Sequence, residues 1–387
     1  MSTLSIDELR RVERHLRLPG FGMKEQLALH DAHILIIGAG GLGCPALQQL
    51  AAAGVGRVTL IDDDVVSLSN IHRQILFGVK DVGRPKVEVA AERARELQPG
   101  ITITPIHARF TPENACDLLG QADVVIEGSD NFATKYLCAD AAEITSTPMV
   151  WGTVLRFAGD VCVFHSGPLA PDGRGVGLRD VFPIQPDSTF VDDCATAGVL
   201  GVTTSVVAGL MVTATIQHIT GLLRPDLPQL IHYEALAPSV HTWNVSADPL
   251  RELVTDLGIY EDSTCAIDPT AGAESSWSTR SFSGSMFNPS PARGSRSVSV
   301  LLDMVARGEA IPVDIREDFE VELRPWPGCE PVHLPMSSTT EIPSSLKGKT
   351  LVVACAKGIR SARFVQKFSD SGADMYSLPG GIDGLVG

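Results

Sequence analysis

The sequence predicts a doubly wound α/β fold followed by a second, smaller α/β domain. Three observations predict it. Apolar runs of strand length alternate with helical stretches through the first half of the chain. That is the pattern of a parallel sheet with helices on both faces. The run Ile34-Leu35-Ile36-Ile37 leads directly into Gly38-Ala39-Gly40-Gly41-Leu42-Gly43, a buried strand ending in a tight turn that opens a helix. A stretch rich in Ser, Gly, Ala, Pro and Thr at 262–297 then separates two patterned regions, as a flexible linker does.

The elements follow in order. Ser5-Ile6-Asp7-Glu8 is a capping box that opens a charged helix over about 5–16. After the glycine turn comes a helix near 43–54, then the strand Arg57–Ile61, closed by Asp62-Asp63-Asp64. A helix is predicted at 85–98 and a strand at 101–107, and Thr111-Pro112 caps a short helix. The run 122–127 is another strand, and a helix starts near Asn131. Strands near 148–151 and 159–165 extend the sheet, and 166–192, rich in Pro, Gly and Asp, reads as a long crossing loop. An uncharged helix follows within 194–223, and strand-like segments run to about 255. Beyond the linker, helices are expected at 298–307 and 360–371 and strands at 311–315 and 350–354. The domain boundaries predicted are therefore 1–261, a linker at 262–297, and 298–387.

Composition narrows the function classes. The 387 residues carry a net charge of −15, which argues against a partner gripped through nucleic-acid phosphates. No basic segment followed by an apolar core opens the chain, so a cytoplasmic location is expected. From Cys194 to Leu223 there is no charged residue, long enough to cross a bilayer. It is rich in Thr, Gly and Ala and contains Gln217 and His218, so a buried helix at a subunit contact is expected instead of a membrane span. The eight cysteines form no Cys-x-x-Cys pair, and free thiols are expected.

The first chemical constellation starts at the glycine turn. Asp62 closes the second strand, where a carboxylate grips ribose hydroxyls. Up to there an NAD-dependent oxidoreductase fits. Arg73 and Lys86 shift the balance: a triphosphate that releases pyrophosphate needs cations to absorb developing charge, whereas NAD needs few. Asp130 stands just past the strand 122–127, on the side where ligands bind and where a carboxylate can hold Mg²⁺. Each has a plainer reading. Asp130 can N-cap the next helix, Arg73 and Lys86 can be solvated, and Asp62 can be turn polarity. Their occurrence together and in order favours the nucleotide site.

These residues carry a resemblance. Arg11-x-x-Arg14-His15, Gly38 to Cys44-Pro45, Asp62-x-Asp64 through Ser69-Asn70-x-x-Arg73-Gln74, Gly83-x-Pro85-Lys86 and Asp130-Asn131 resemble the ubiquitin-activating-like adenylyltransferases. Members that activate molybdopterin-synthase and thiamine sulfur carriers are the nearest in kind. The resemblance covers about residues 8–260 and implies a Rossmann-like nucleotide-binding domain with an extended mixed sheet. It implies that ATP adenylates the C-terminal carboxylate of a ubiquitin-like carrier protein ending in Gly-Gly. It places Gly38, Gly40, Gly41 and Gly43 at the phosphates and Asp62 at the ribose. Ser69, Asn70, Arg73, Gln74 and Lys86 would line the triphosphate, and Asp130, beside Asn131, would hold Mg²⁺. It assigns Arg14 to the ATP of a neighbouring subunit, which implies a homodimer. Cys194 matches a cysteine that in relatives links covalently to the carrier; its plain alternative is a small buried thiol. Many relatives also hold a structural Zn²⁺ on two Cys-x-x-Cys pairs, a tetrahedral set. The first pair would fall in 166–180, which has no cysteine, and the second near 262–268, where Cys265 stands alone. No zinc is expected.

The second constellation is Cys355-Ala-Lys357-Gly358-Ile-Arg360-Ser361, between a strand and a helix. A thiol at such a bend meets backbone N–H groups, a helix N-terminus and the cations Lys357 and Arg360, all of which favour a thiolate or persulfide. The loop, with Asp314-Ile-Arg316-Glu317 upstream, resembles the active-site loop of the rhodaneses. The resemblance covers about 296–387 and implies a rhodanese-like domain in which Cys355 takes sulfur from a persulfide donor. Together the domains imply carrier adenylation followed by sulfur transfer to a thiocarboxylate, in molybdopterin- or thiamine-type metabolism. The alternatives are a conjugation enzyme with a carrier thioester on Cys194, and a non-catalytic scaffold that binds the carrier but not ATP.

Overall fold

The computed structural model describes residues 3–186, 198–222, 228–258, 260 and 296–385. It divides into two compact units, Met1–Asp268 and Pro269–Gly387.

In the first unit, helix α1 (Ile6–Val12) starts at a true capping box, Ser5 with Glu8. Helix α2 (Met23–Asp31) leads to strand β1 (His33–Ile37), every residue of which is buried. Helix α3 (Gly43–Ala53) follows the glycine turn and ends on left-handed Gly54, and strand β2 (Arg57–Ile61) comes next. Then follow α4 (Lys86–Leu97), β3 (Thr102–Ile106), α5 (Pro112–Leu119), β4 (Val124–Glu127) and α6 (Phe132–Thr145). Strands β5 (Met149–Leu155) and β6 (Ala158–Ser166) precede short β7 (Gly175–Val176) and one-turn α7 (Leu178–Val181). The uncharged helix α8 is Gly201–Thr220, and β8 (Gln229–Glu234) and β9 (Ser239–Asn244) complete the sheet.

The sheet order is β3-β2-β1-β4-β5-β6-β8-β9, with β7 paired to β6. β3 through β5 run parallel, and β6, β8 and β9 add antiparallel partners. The order reverses between β1 and β4, so their C-terminal ends open a crevice for a ligand. One face buries α3, α4 and α8 around Ile34, Ile36, Leu47, Val124, Ile126 and Met211. The other buries α5 and α6 around Leu35, Val125, Tyr136 and Trp151. Helix α8 is long and apolar enough to cross a membrane, yet Thr203, Thr204, Val207, Met211 and Thr215 form a buried face. The hydroxyls of Thr213, Thr215 and Thr220 bond carbonyls one turn back, and for Thr215 this satisfies a polar group inside an apolar layer.

Several elements differ from expectation. α1 stops at Val12, and turns carry the chain to Leu18-Pro19-Gly20. α2 has little amphipathic signal, with Gln26 and Leu29 its buried residues. The crossing loop contains β7 and α7. The strand-like region toward 255 holds β8 and β9, and no strand follows Asn244 among the described residues of that unit.

The second unit has helices α9 (Val298–Ala306), α10 (Asp318–Leu323) and α11 (Ile359–Lys367). Its strands are β10 (Ile311–Asp314), β11 (Val332–His333), β12 (Thr350–Ala354) and β13 (Asp374–Ser377). They form a parallel sheet in the order β11-β10-β12-β13. Cores lie on both faces, one around Val353 and Phe364 and one around Leu301 and Trp326.

Candidate active site

The glycine turn shapes the crevice by what it lacks. Gly38 takes φ +89°, and a Cβ on Gly43 would lie 1.8 Å from the Gly38 carbonyl oxygen. Only glycine fits both places, and the turn holds α3 tight against the end of β1. The result is a cleft of about 210 Å³ lined by Gly38, Gly40, Gly41, Asp62, Arg73, Gln74, Lys86, Asp130 and Asn131. These residues, all marked by sequence reasoning, thus converge on one space. Gly43 lies behind the turn inside α3, and Ser69 and Asn70 lie outside the lining. The Ser69 hydroxyl pairs with Ser67, and its carbonyl accepts from Arg73. Arg14 is exposed and does not line this chain's cleft.

Asp62 is fixed from both sides. One carboxylate oxygen accepts the Ala39 N–H at 2.7 Å and the other the Asp64 N–H at 2.8 Å. Burial pushes its carboxyl up, against the pull of Lys86 and of those N–H groups. The buried Lys86 donates from Nζ to Asp64 at 2.7 Å. Arg73 Nη1 bonds the Ser69 carbonyl at 3.2 Å and meets His72 Nε2 at 2.8 Å. Gln74 is buried, and its Oε1 has no partner among the described residues, an orphan acceptor at the wall of the cleft. The start of α8 abuts this segment closely: a Cβ on Gly201 would lie 2.2 Å from the His72 carbonyl oxygen.

Helix capping falls to Asn131, whose side chain accepts the Thr134 N–H at 2.7 Å. The exposed Asp130 carboxylate makes no hydrogen bond or ion pair among the described residues, so it is open to a cation. Asp62, Asp63 and Asp64 also bring carboxylate oxygens within 4.8 Å of one another. This oxygen-rich rim fits Mg²⁺. The cleft is lined as well by Arg109, Phe110, Phe132, Lys135 and Thr204, which sequence reasoning missed. Lys135 carried a faint signal, a lysine in an otherwise apolar stretch shortly after Asp130-Asn131.

The crossing loop is fastened by ions. Arg251 donates to Asp180 from Nε at 2.7 Å and to Glu143 from Nη1 and Nη2 at 2.8 Å each. Arg174 reaches Asp180 at 2.9 Å and the Asp248 carbonyl at 2.7 Å. Arg179 grips Asp140 at 2.6 and 2.7 Å, and Tyr260 donates to the same carboxylate at 2.6 Å. Burial raises the Asp180 and Glu143 carboxyls, but Arg251 with further hydrogen bonds outweighs it and holds both below the usual range. Arginines among the acids do not fit a tetrahedral zinc set.

In the second unit, Cys355 closes β12 and is buried. Its Sγ accepts N–H bonds from Gly358 at 3.1 Å and Ser361 at 3.4 Å. The segment after β13 clasps the loop from behind. The N–H groups of Ile382 and Asp383 donate to the Cys355 and Ala356 carbonyls at 2.9 Å each. Carbonyls held on one side leave N–H groups for the sulfur on the other, an arrangement suited to an anionic sulfur. Arg360 stays within electrostatic reach of the Cys355 sulfur but has a second partner. Its guanidinium is engaged by Glu320 at 2.8 and 2.5 Å, because a half-buried carboxylate on α10 competes for it. Lys357 is exposed. Asp314 and Arg316 form a buried pair at 2.7 Å, and Arg316 also donates to the Arg324 carbonyl at 2.8 Å; both brace the loop between β10 and α10. Cys44 and Cys138 are pushed far up by burial and Cys162 to about 12, which leaves them inert. Cys194 and Cys265 lie outside the described residues.

Comparison with known proteins identifies the family. The profile of the ThiF family matches residues 12–252. A probable adenylyltransferase/sulfurtransferase MoeZ of Mycobacterium tuberculosis is 37% identical over 384 residues, 98% of this chain and 93% of that protein. The adenylyltransferase and sulfurtransferase MOCS3 of Bos taurus is 36% identical over 344 residues, 87% of this chain and 71% of that protein. A sulfur carrier protein adenylyltransferase of Thermus thermophilus is 41% identical over 243 residues, 63% of this chain and 89% of that protein. Among solved structures, E. coli MccB with AMPCPP and MccA superposes with a TM-score of 0.54 at 18% identity, over 66% of this chain and 76% of that one; this likeness concerns the fold. By the family profile and by relatives matched along nearly its whole length, the chain belongs to the ThiF family.

Proposed function

We propose that this protein uses ATP to adenylate the C-terminal carboxylate of a sulfur-carrier protein and then passes sulfur to it from Cys355. The observation that carries the reading is the convergence of the glycine turn, Arg73, Lys86 and Asp130 on one cleft at the switch point of the sheet. The relatives described as adenylyltransferase and sulfurtransferase support both halves of it.

The carrier carboxylate attacks the α-phosphate, an acyl-adenylate forms, and pyrophosphate leaves. Arg73 and Lys86 offset the charge that develops on the leaving group, and Asp62 receives the ribose hydroxyls. Lys86 exchanges its bond to Asp64 for one to phosphate oxygens. Asp130 would hold Mg²⁺, which, when bound, screens the phosphate oxygens. Arg14, exposed just beyond α1, acts in the cleft of a second copy, so the working enzyme is a homodimer. No zinc is required, because ion pairs already fasten the crossing loop.

In the second step a persulfide on Cys355, supplied by a sulfur donor, attacks the acyl-adenylate. A carbon–sulfur bond forms and AMP leaves. A thiolate, for which Cys194 is the candidate, then attacks the Cys355 sulfur; the bond between that sulfur and the acyl-bearing sulfur breaks, the thiocarboxylate leaves, and the disulfide formed with Cys355 is reduced by a thiol. The test is labelled-pyrophosphate exchange into ATP with a Gly-Gly-ended carrier. Cys355→Ala keeps exchange and abolishes thiocarboxylate formation; loss of both in a folded variant contradicts the division of labour.

A further inference from the structure

The floor of the cleft holds a buried ion pair that the reaction just described does not use. Glu127 is the last residue of β4, and its side chain is fully buried. Lys135, one turn into α6, is 4% exposed and lines the cleft. Its Nζ donates to Glu127 Oε2 at 2.6 Å and to the Gly152 carbonyl of β5 at 2.7 Å. The ammonium also lies 5.9 Å from the centre of the Trp151 ring. One side chain thus ties β4, α6 and β5 together.

The other oxygen of Glu127 faces the loop. Oε1 accepts the Ser129 N–H at 2.8 Å and also the Ser129 hydroxyl. Ser129 is the residue before Asp130, and Asn131, the residue after it, caps α6. The turn that carries the uncommitted Asp130 carboxylate is therefore pinned on both sides. Without Lys135, Glu127 would be a buried, unpaired anion beneath a site for phosphates, and it would either protonate or move. Either change releases its hold on Ser129.

We propose that Lys135 is a positioning residue of the nucleotide site. It holds Glu127 against the Ser129 N–H and so sets where Asp130 presents its carboxylate to a divalent cation. The proposal rests on the ATP-binding reading of the cleft. It differs from a general effect of charge, because Lys135 acts through Asp130 and so matters when the cation is present.

The test measures binding of ATP to the full chain by calorimetry, once with Mg²⁺ and once with EDTA. It is done at a temperature where circular dichroism shows each variant folded. In Lys135→Met the affinity for ATP with Mg²⁺ falls by about tenfold, as expected when the support of a metal ligand is lost, and the affinity in EDTA changes much less. Lys135→Arg keeps the cation and recovers most of the loss. Should Lys135→Met fail to fold, the Glu127→Gln/Lys135→Met pair removes both buried charges at nearly constant shape. The neutral amide at 127 can still accept from Ser129 but is no longer held by an ammonium, so a smaller loss confined to Mg²⁺ is expected. For either folded variant, no loss, or an equal loss with and without Mg²⁺, overturns the proposal. Failure of the unaltered protein to bind ATP at all would instead overturn the reading of the cleft.

Discussion

Replacing Arg251 by Met is expected to loosen the crossing loop more than any other single change outside the cleft. The Arg251 side chain is 12% exposed, and its partners Glu143 and Asp180 are 4% and 0% exposed. The substitution leaves two buried carboxylates with Arg174, 27% exposed, as the cation of the cluster. Breaking a buried pair from one side costs about 3–5 kcal/mol, since it strands a desolvated charge. For a unit of this size that corresponds to a fall in Tm of about 6–20 °C. The assay is equilibrium urea unfolding and a thermal melt followed by tryptophan fluorescence. Trp151 reports locally, because its ring lies 5.5 Å from that of Phe182 at the end of α7.

The pH dependence has a definite sign. Glu143 and Asp180 are both held below their usual values in the folded state. Their stabilisation is therefore complete above the unfolded carboxylate value of about 4 and is lost as pH falls through the depressed folded values. The unaltered protein should lose stability steeply in that acidic window, and Arg251→Met should show a flatter profile. Arg251→Lys should recover only part, because an ammonium cannot replace two forked contacts. A loss below about 1 kcal/mol, the size of an exposed pair, with an unchanged acid profile would refute the reasoning.

Four further outcomes follow. Dialysis against EDTA should leave the melting temperature unchanged, and a large fall would mean that a metal, not the arginines, fastens the loop. Lys86→Met should lower the rate of pyrophosphate exchange by about 10²–10³-fold, the size of one lost transition-state donor, as read by label incorporation into ATP. Gly43→Ala should abolish ATP binding in calorimetry, because its Cβ would fall 1.8 Å from the Gly38 carbonyl oxygen and force the turn open. Glu320→Gln should free Arg360 and alter the rate at which a persulfide forms on Cys355, followed by mass spectrometry of the protein.

Much of the fold and the site is legible in the sequence because local pattern and tertiary role coincide. β2 and β12 have the bounds expected of them, since each is a short apolar run, ended by the Asp62 triplet after β2 and by the Cys355 loop after β12. The glycine turn, Asp62 and Asp130 can be found because their roles depend on short spacing along the chain. What escapes depends on distant contacts. Lys135 reads as an ordinary helix lysine until β4 and β5 close on it. The competition of Glu320 for Arg360 spans 40 residues of sequence, and no period or motif records it. The crossing loop looks unstructured because its order comes from Arg251 and Glu143, which are 108 residues apart. α2 lacks an apolar stripe and so lacks the signal on which helix prediction rests.

The most direct test is exchange of labelled pyrophosphate into ATP, measured with the carrier intact and with its final carboxylate amidated. Label should enter ATP only when the free carboxylate is present. Exchange with no carrier, or with the amidated form, would mean that some other group accepts the adenylate.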